Sequence, residues 1–173
     1  MIIVLIGYMA SGKTSIGKKL ADKLDYTFVD LDELIEEKEN ASVTKVFKKR
    51  GEVYFRNQET RYLKEVLAMP GNIILSVGGG APCYGNNMQE ILNAENTKSV
   101  YLKASIPTLS EKLMRKKAKR PLIAHIETEE AMAEFIGKHL FERSPFYSQA
   151  EFIVSIDHKT KEEVAEAVLS ELF

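Results

Sequence analysis

Cysteine is almost missing from this chain of 173 residues: Cys83 is the only one. A lone thiol excludes an internal disulfide and a cysteine-built metal site, and such economy suits a reducing compartment. Histidine is scarce as well. His125, His139 and His158 are scattered without ligand spacing, so they read as surface or structural residues rather than a metal set. An excess of either charge is lacking too. The 24 Lys and Arg against 25 Asp and Glu leave a net charge of −1, which gives no general reason to bind nucleic acid or an anionic membrane. No apolar run approaches the length of a bilayer span, and no signal peptide precedes the first apolar stretch, so a cytoplasmic protein is expected. No repeat, low-complexity tract or Pro/Gly-rich linker marks a second domain. The composition, 45% hydrophobic and 28% charged, is that of an ordinary globular protein, and 1–173 is expected to form one domain with a real core. No dedicated association surface can be read, so the expected state is a monomer.

What is present is concentrated at the N-terminus. Gly7-Tyr8-Met9-Ala10-Ser11-Gly12-Lys13-Thr14 matches G-x-x-x-x-G-K-[ST], the phosphate-binding P-loop. Its surroundings match as well. Ile2-Ile3-Val4-Leu5-Ile6 is an uninterrupted apolar run suited to a buried parallel strand, and Ile16, Leu20 and Leu24 then recur at helical spacing. Glycines let the chain close around an anion, so loop amides and the positive helix end face a polyphosphate. In such a loop Lys13 reaches the β- and γ-phosphates and the Thr14 hydroxyl ligates Mg²⁺.

Further strands are expected at Tyr26–Asp30, Ile73–Val77, Lys98–Leu102 and Phe152–Ile156. Helical sequence runs from Leu31 to about Leu67, broken at Gly51, with a longer helix starting near Glu52. Another helix runs from Pro107 to about Arg115. The last helix opens on a Thr160-x-x-Glu163 capping box and carries a stripe of Val164, Val168, Leu169 and Leu172. Strands alternating with helices argue for an α/β fold with a parallel sheet covered on both faces, whose ligands sit beyond the carboxyl ends of the strands. The polar and glycine-rich features do follow strands.

Asp30 and Asp32 either cap the next helix or, beside a P-loop, hold Mg²⁺ through water and orient a hydroxyl acceptor for in-line attack. Arg56 and Glu59, three apart, are a plain surface ion pair or a guanidinium held ready to clamp a substrate carboxylate. Gly78-Gly79-Gly80 exposes consecutive bare amides, which favours a binding wall over a simple turn, with Ser76 just before it placed to order metal-bound water. The run from Arg115 to Leu122 is solvated charge, a nucleic-acid patch, or a lid that swings an arginine over nucleotide phosphates. Arg143 reads as a lone surface arginine.

Taken in order and spacing, these residues resemble the shikimate kinase family over nearly the whole chain. The resemblance rests on the P-loop, Asp30-x-Asp32, Phe55-Arg56 with Glu59, Gly78-Gly79-Gly80-Ala81, Arg120-Pro121-Leu122, and Arg143 with Pro145 and Tyr147. It implies a three-layer P-loop NTPase fold of the nucleoside monophosphate kinase type, with a five-stranded parallel sheet in the order 2-3-1-4-5. It implies a substrate-binding helical segment over about 31–62 and a lid over about 115–126. The implied reaction is ATP-dependent phosphorylation of the shikimate 3-hydroxyl in aromatic amino-acid biosynthesis. Ala10, Ser11, Gly12, Lys13, Thr14 and Ser15 would surround the nucleotide phosphates. Arg115 would stack on the base, and Arg120 would come down with the lid. Asp32 would contact the ring hydroxyls as base or orienter, Arg56 and Arg143 would grip the carboxylate, and Gly78, Gly79 and Gly80 would line the same pocket. Thr14 would bind Mg²⁺ directly, with Asp30 and Ser76 acting through water.

Two positions depart from the family pattern. Ala10 stands where many members have glycine, at a position the motif leaves unconstrained. Asp157–Lys161 lacks the proline that often frames adenine. The competing expectations are another small-molecule P-loop kinase, of the gluconate or nucleoside monophosphate type, and a nucleotide-binding regulatory module without catalysis.

Overall fold

The computed structural model describes residues 1–173. Its centre is β1 (Ile2–Ile6), whose five residues are all buried. Successive side chains on a strand point to opposite faces, so burial of all of them means that helices cover both sides. β2 (Thr27–Asp30), β3 (Ile73–Ser76), β4 (Thr97–Lys103) and β5 (Phe152–Ser155) complete one parallel sheet in the order β2-β3-β1-β4-β5. This is the order that the family resemblance implied. Register pairs Leu5 with Ser76 and Asp30 with Ser76, so the carboxyl ends of β1, β2 and β3 finish side by side. Polar groups that follow those strands are thereby delivered to one edge of the sheet.

The sequence between β1 and β2 forms α1 (Lys13–Leu24), which packs on the closing helix α8 (Lys161–Leu172). A Cβ on Gly17 would lie 2.5 Å from the Phe28 ring, so α1 owes its close seat on β2 to that glycine. Thr160 caps α8 with the expected capping box. The segment after β2 is three helices rather than two: α2 (Leu31–Glu39), α3 (Val43–Arg50) and α4 (Glu52–Leu67). Gly51 makes the anticipated break, and a second one lies at Asn40–Ser42. Asn40 ends α2 in the left-handed region at φ 49°, and the Ser42 hydroxyl accepts from the Lys45 amide to start α3.

α5 (Asn87–Asn93) follows β3, and α6 (Ile106–Lys116) follows β4. The longest helix, α7 (Glu129–Tyr147), is capped by Thr128 and carries Pro145 in its last turn. Its apolar residues are spread around the axis instead of forming one stripe. Met132 and Ile136 are buried while Phe141 is 85% exposed, which is why no amphipathic period marks α7 in the sequence.

The phosphate loop holds a correction. Ala10 is not conformationally unconstrained: it adopts φ 65°, in the left-handed region, which costs a residue with a Cβ about 1–2 kcal/mol. Glycine would remove that strain but add freedom to the unfolded chain. Ala10→Gly is therefore expected to raise unfolding stability by about 0.5–1 kcal/mol, read as a higher urea midpoint at unchanged slope. A lower midpoint would contradict it.

Candidate active site

Strand β1 ends at Ile6 and the chain turns through Gly7–Gly12 into α1. Gly12 takes φ 91°, a left-handed value that aims the first amides of the helix inward. Gly7 is equally required, because a Cβ there would lie 2.7 Å from the Ser11 Oγ and 2.9 Å from the Leu102 carbonyl. The Ser11 hydroxyl is buried and has no hydrogen-bond partner. The Lys13 ammonium lies back over the loop, donating to the carbonyls of Gly7 at 2.7 Å and Tyr8 at 3.1 Å. Burial pushes its pKa down to about 8, against the pull of the Asp32 and Asp30 carboxylates.

Asp30 caps the next helix and also reaches the phosphate loop. Its Oδ1 accepts from the amides of Asp32 and Glu33 at 3.0 and 3.3 Å and caps α2, while its Oδ2 accepts from the Thr14 hydroxyl at 3.0 Å. Ser76, buried at the end of β3, is its neighbour in register. No group of three or more His, Cys, Asp or Glu is placed to hold a metal ion. A cation here would instead rely on the hydroxyls, one carboxylate and ligand or water oxygens.

The three glycines are crowded by charged side chains. Gly78 faces two carboxylates, with Asp32 Oδ1 and Glu59 Oε2 each 3.2 Å from where its Cβ would be. The corresponding position on Gly79 is 3.3 Å from Arg143 Nη1, and that on Gly80 is 2.7 and 2.9 Å from the two terminal nitrogens of Arg56. Any side chain on this run would displace the groups opposite it. Arg56 and Glu59 are no surface pair. Their ion pair is 2.9 Å long and Glu59 is 1% exposed. Burial raises the Glu59 carboxyl to about 7, although Arg56 opposes the shift. Asp32 is raised to about 6, by burial first and by the charge of Asp30 second.

Arg143 is not a lone surface residue. It projects from α7 over the ring of Tyr8, 5.6 Å from the centroid, and meets Gly79. One turn on, the Tyr147 hydroxyl donates to the Gly79 carbonyl. The basic run divides along its length. Arg115, on α6, pairs with Glu111, whereas Lys117 donates to the Ile126 carbonyl at 2.7 Å and Ile123 is buried. The segment after α6 is thus pinned to the body by its apolar side, which leaves Arg120 facing the cleft.

That cleft is a cavity of about 480 Å³ lined by Ala10, Gly12, Lys13, Thr14, Ser15, Asp30, Asp32, Ser76, Gly78, Gly79, Arg115 and Arg120, among others. Arg56 and Arg143 approach the same glycine wall without lining this cavity. The cleft also holds residues that the sequence did not single out. Lys112 and Lys116 come from α6, and Lys161 donates to the Ser15 hydroxyl at 3.1 Å. A signal for Lys161 existed, since a cation in the first turn of a helix opposes the helix dipole. Tyr8 gave none, because it fills a variable position of its motif. A larger hollow of about 570 Å³ lies at the opposite end of the sheet, around Met69–Gly71 and Asn93–Asn96. No comparable set of converging charged groups accompanies it.

Similarity to known proteins agrees with this geometry. The sequence model described as "Shikimate kinase" matches residues 9–173. A shikimate kinase of Flavobacterium johnsoniae is 45% identical over 167 residues, covering 96% of each chain. The crystal structure of shikimate kinase from Bacteroides thetaiotaomicron superposes with a TM-score of 0.87 at 34% identity, covering 99% of this chain and 98% of that one. The Acinetobacter baumannii shikimate kinase, solved in complex with shikimate, gives 0.85 at 30% identity over 99% of this chain and 92% of its own.

Proposed function

From the premise that the chain belongs to the shikimate kinase family, we propose how its residues divide the phosphorylation of shikimate by ATP. The observation that carries the assignment is the convergence of Asp32, Arg56 and Arg143 on one run of glycines. Two guanidinium forks suit a small carboxylate, which a neutral sugar acceptor lacks. With its carboxylate held by Arg56 and Arg143, shikimate presents the 3-hydroxyl to Asp32. The hydroxyl oxygen attacks the γ-phosphorus in line, the bond from that phosphorus to the bridging oxygen of ADP breaks, and the hydroxyl proton passes to Asp32. The products are ADP and shikimate 3-phosphate.

Phosphoryl transfer is mainly positioning and charge stabilisation. The loop amides and Lys13 hold the β- and γ-phosphates, Arg120 covers the moving group, and Arg115 stacks on the base. The oxygen set of Thr14, Asp30 and Ser76 fits Mg²⁺, which takes few protein ligands and keeps several waters. Thr14 would hold it directly and Asp30 and Ser76 through water, and when bound it would supply positive charge to offset that of the phosphates. We assign the enzyme to the cytoplasm as a monomer. No helix is long and apolar enough to cross a membrane.

A coupled assay of ADP release with and without shikimate tests this assignment, with gluconate and nucleoside monophosphates as competing acceptors. Turnover is expected with shikimate, and preference for either other class would overturn it.

The pH dependence has a definite sign. Asp32 is a carboxylate raised to about 6, and proton acceptance requires its anion. The kcat/KM for shikimate should therefore fall as pH drops through about 6, by roughly tenfold per unit below it. Glu59 titrates beside it, so the acid limb belongs to the pair. A flat profile between pH 5 and 7 would remove Asp32 from the role of base.

A further inference from the structure

Four residues on α7 are spaced one turn apart, Phe135, His139, Arg143 and Tyr147, and the last three meet the phosphate loop or the glycine wall. Arg143 and Tyr147 reach Gly79. Phe135 packs its ring edge-on to His139 at 4.5 Å between centroids. His139 in turn sits 2.7 Å, Nδ1 to hydroxyl oxygen, from Tyr8, which is 1% exposed in the phosphate loop. The Tyr8 ring then lies beneath the Arg143 guanidinium.

Arg143 differs from its counterpart Arg56 in how it is held. Arg56 is fixed by a buried carboxylate, whereas no acidic side chain forms an ion pair with Arg143. Its supports are the hydroxyl of Tyr147 and the face of Tyr8, and a ring supports a cation only while its plane stays put. Swinging of that ring about its Cα–Cβ bond is restrained at the far end by the hydrogen bond to His139. The imidazole is itself wedged by Phe135 and belongs to the same helix as Arg143. Loop and helix are thus locked at the spot where the phosphate donor's loop meets the acceptor's clamp.

We propose that His139 is a positioning residue for the acceptor site, holding the Tyr8 ring as the platform on which Arg143 meets the shikimate carboxylate. It acts through Tyr8 and touches neither substrate. The neutral imidazole accepts the Tyr8 proton at Nδ1 and carries its own proton on Nε2. Burial and the Arg143 charge lower the His139 pKa and so favour that neutral form. This inference rests on the assignment of Arg143 to the shikimate carboxylate.

Steady-state kinetics on His139→Leu, His139→Asn, Tyr8→Phe and the Leu/Phe double variant test it. Asparagine places a polar atom where Nδ1 stood and can partner the phenol, and leucine cannot. The shikimate KM should rise about five- to tenfold in His139→Leu and in Tyr8→Phe, with no further rise in the double variant. The ATP KM should stay within about twofold throughout, and His139→Asn should remain within about twofold of the unaltered enzyme in both. Melting temperatures recorded in parallel separate a general loosening, which would move both KM values together. Unchanged shikimate KM in Leu and Phe variants overturns the inference alone, as does a rise in Asn equal to that in Leu. Absence of shikimate-dependent turnover in the unaltered enzyme overturns the acceptor assignment and this inference with it.

Discussion

Arg120→Ala is expected to lower kcat by about 10²- to 10³-fold, the usual effect of removing one preorganised donor from a developing charge, while the shikimate KM changes little. Arg120 faces the cavity that holds Lys13, Thr14 and Asp32, and its charge is felt at both Lys13 and Tyr8. A group that stabilises the moving phosphoryl more in the transition state than in bound ATP lowers kcat when lost. The backbone around it should survive, because Ile123, Ile126 and the Lys117 contact anchor the segment independently. Rapid-quench measurement of the chemical step distinguishes this from slow product release. A kcat within threefold of the unaltered enzyme would place Arg120 outside the transition state.

The second large effect belongs to Arg56. Arg56→Ala should raise the shikimate KM by about 30- to 100-fold, in the range found when one partner of a buried charge pair is truncated. Two losses combine: the fork proposed for the carboxylate, and the counter-charge of Glu59. Glu59 is already raised to about 7 with Arg56 present. Without it, the buried carboxyl is expected to titrate higher still and remain protonated at neutral pH. Arg56→Lys keeps charge but not the bidentate fork and should recover only part of the affinity. Calorimetric titration of shikimate measures the binding loss directly. A shikimate affinity unchanged in Arg56→Ala would sink the clamp.

The sheet was legible because each of its strands is announced locally. β1 is a pure apolar run, and β2 and β3 end on Asp30 and on Ser76 before the glycines, where a polar residue marks the exit to the ligand side. The break at Asn40–Ser42 was legible in principle, as a left-handed asparagine followed by a serine cap, but it is masked by polar helix-forming neighbours. α7 was not legible, since a helix that touches core on one turn and solvent on another carries no single period. The site followed the same division. Local motifs named the phosphate loop and the acid pair, and the glycines stood out by their conformational cost. What no local pattern conveys is a partnership across the fold. His139 looks like a surface residue until the fold brings Tyr8 beneath it, and the Arg56–Glu59 pair, local to one helix and readable as a pair, gave no sign that it would be buried. Ala10 failed for another reason: a motif letter constrains composition, not backbone angle, and the angle is what costs energy there.

The placement of the Lys13 ammonium has one more consequence. Its ammonium leans on the carbonyls of Gly7 and Tyr8, two oxygens that occupy the role phosphate oxygens would take. An incoming nucleotide need not recruit a solvated, wandering cation. It trades places with weak acceptors already within reach, so that the ammonium exchanges one pair of neighbours for a more negative pair in a short swing. On the role proposed for Lys13, binding of the donor would be a local substitution inside the loop whose Gly7 and Tyr8 carbonyls already meet the ammonium.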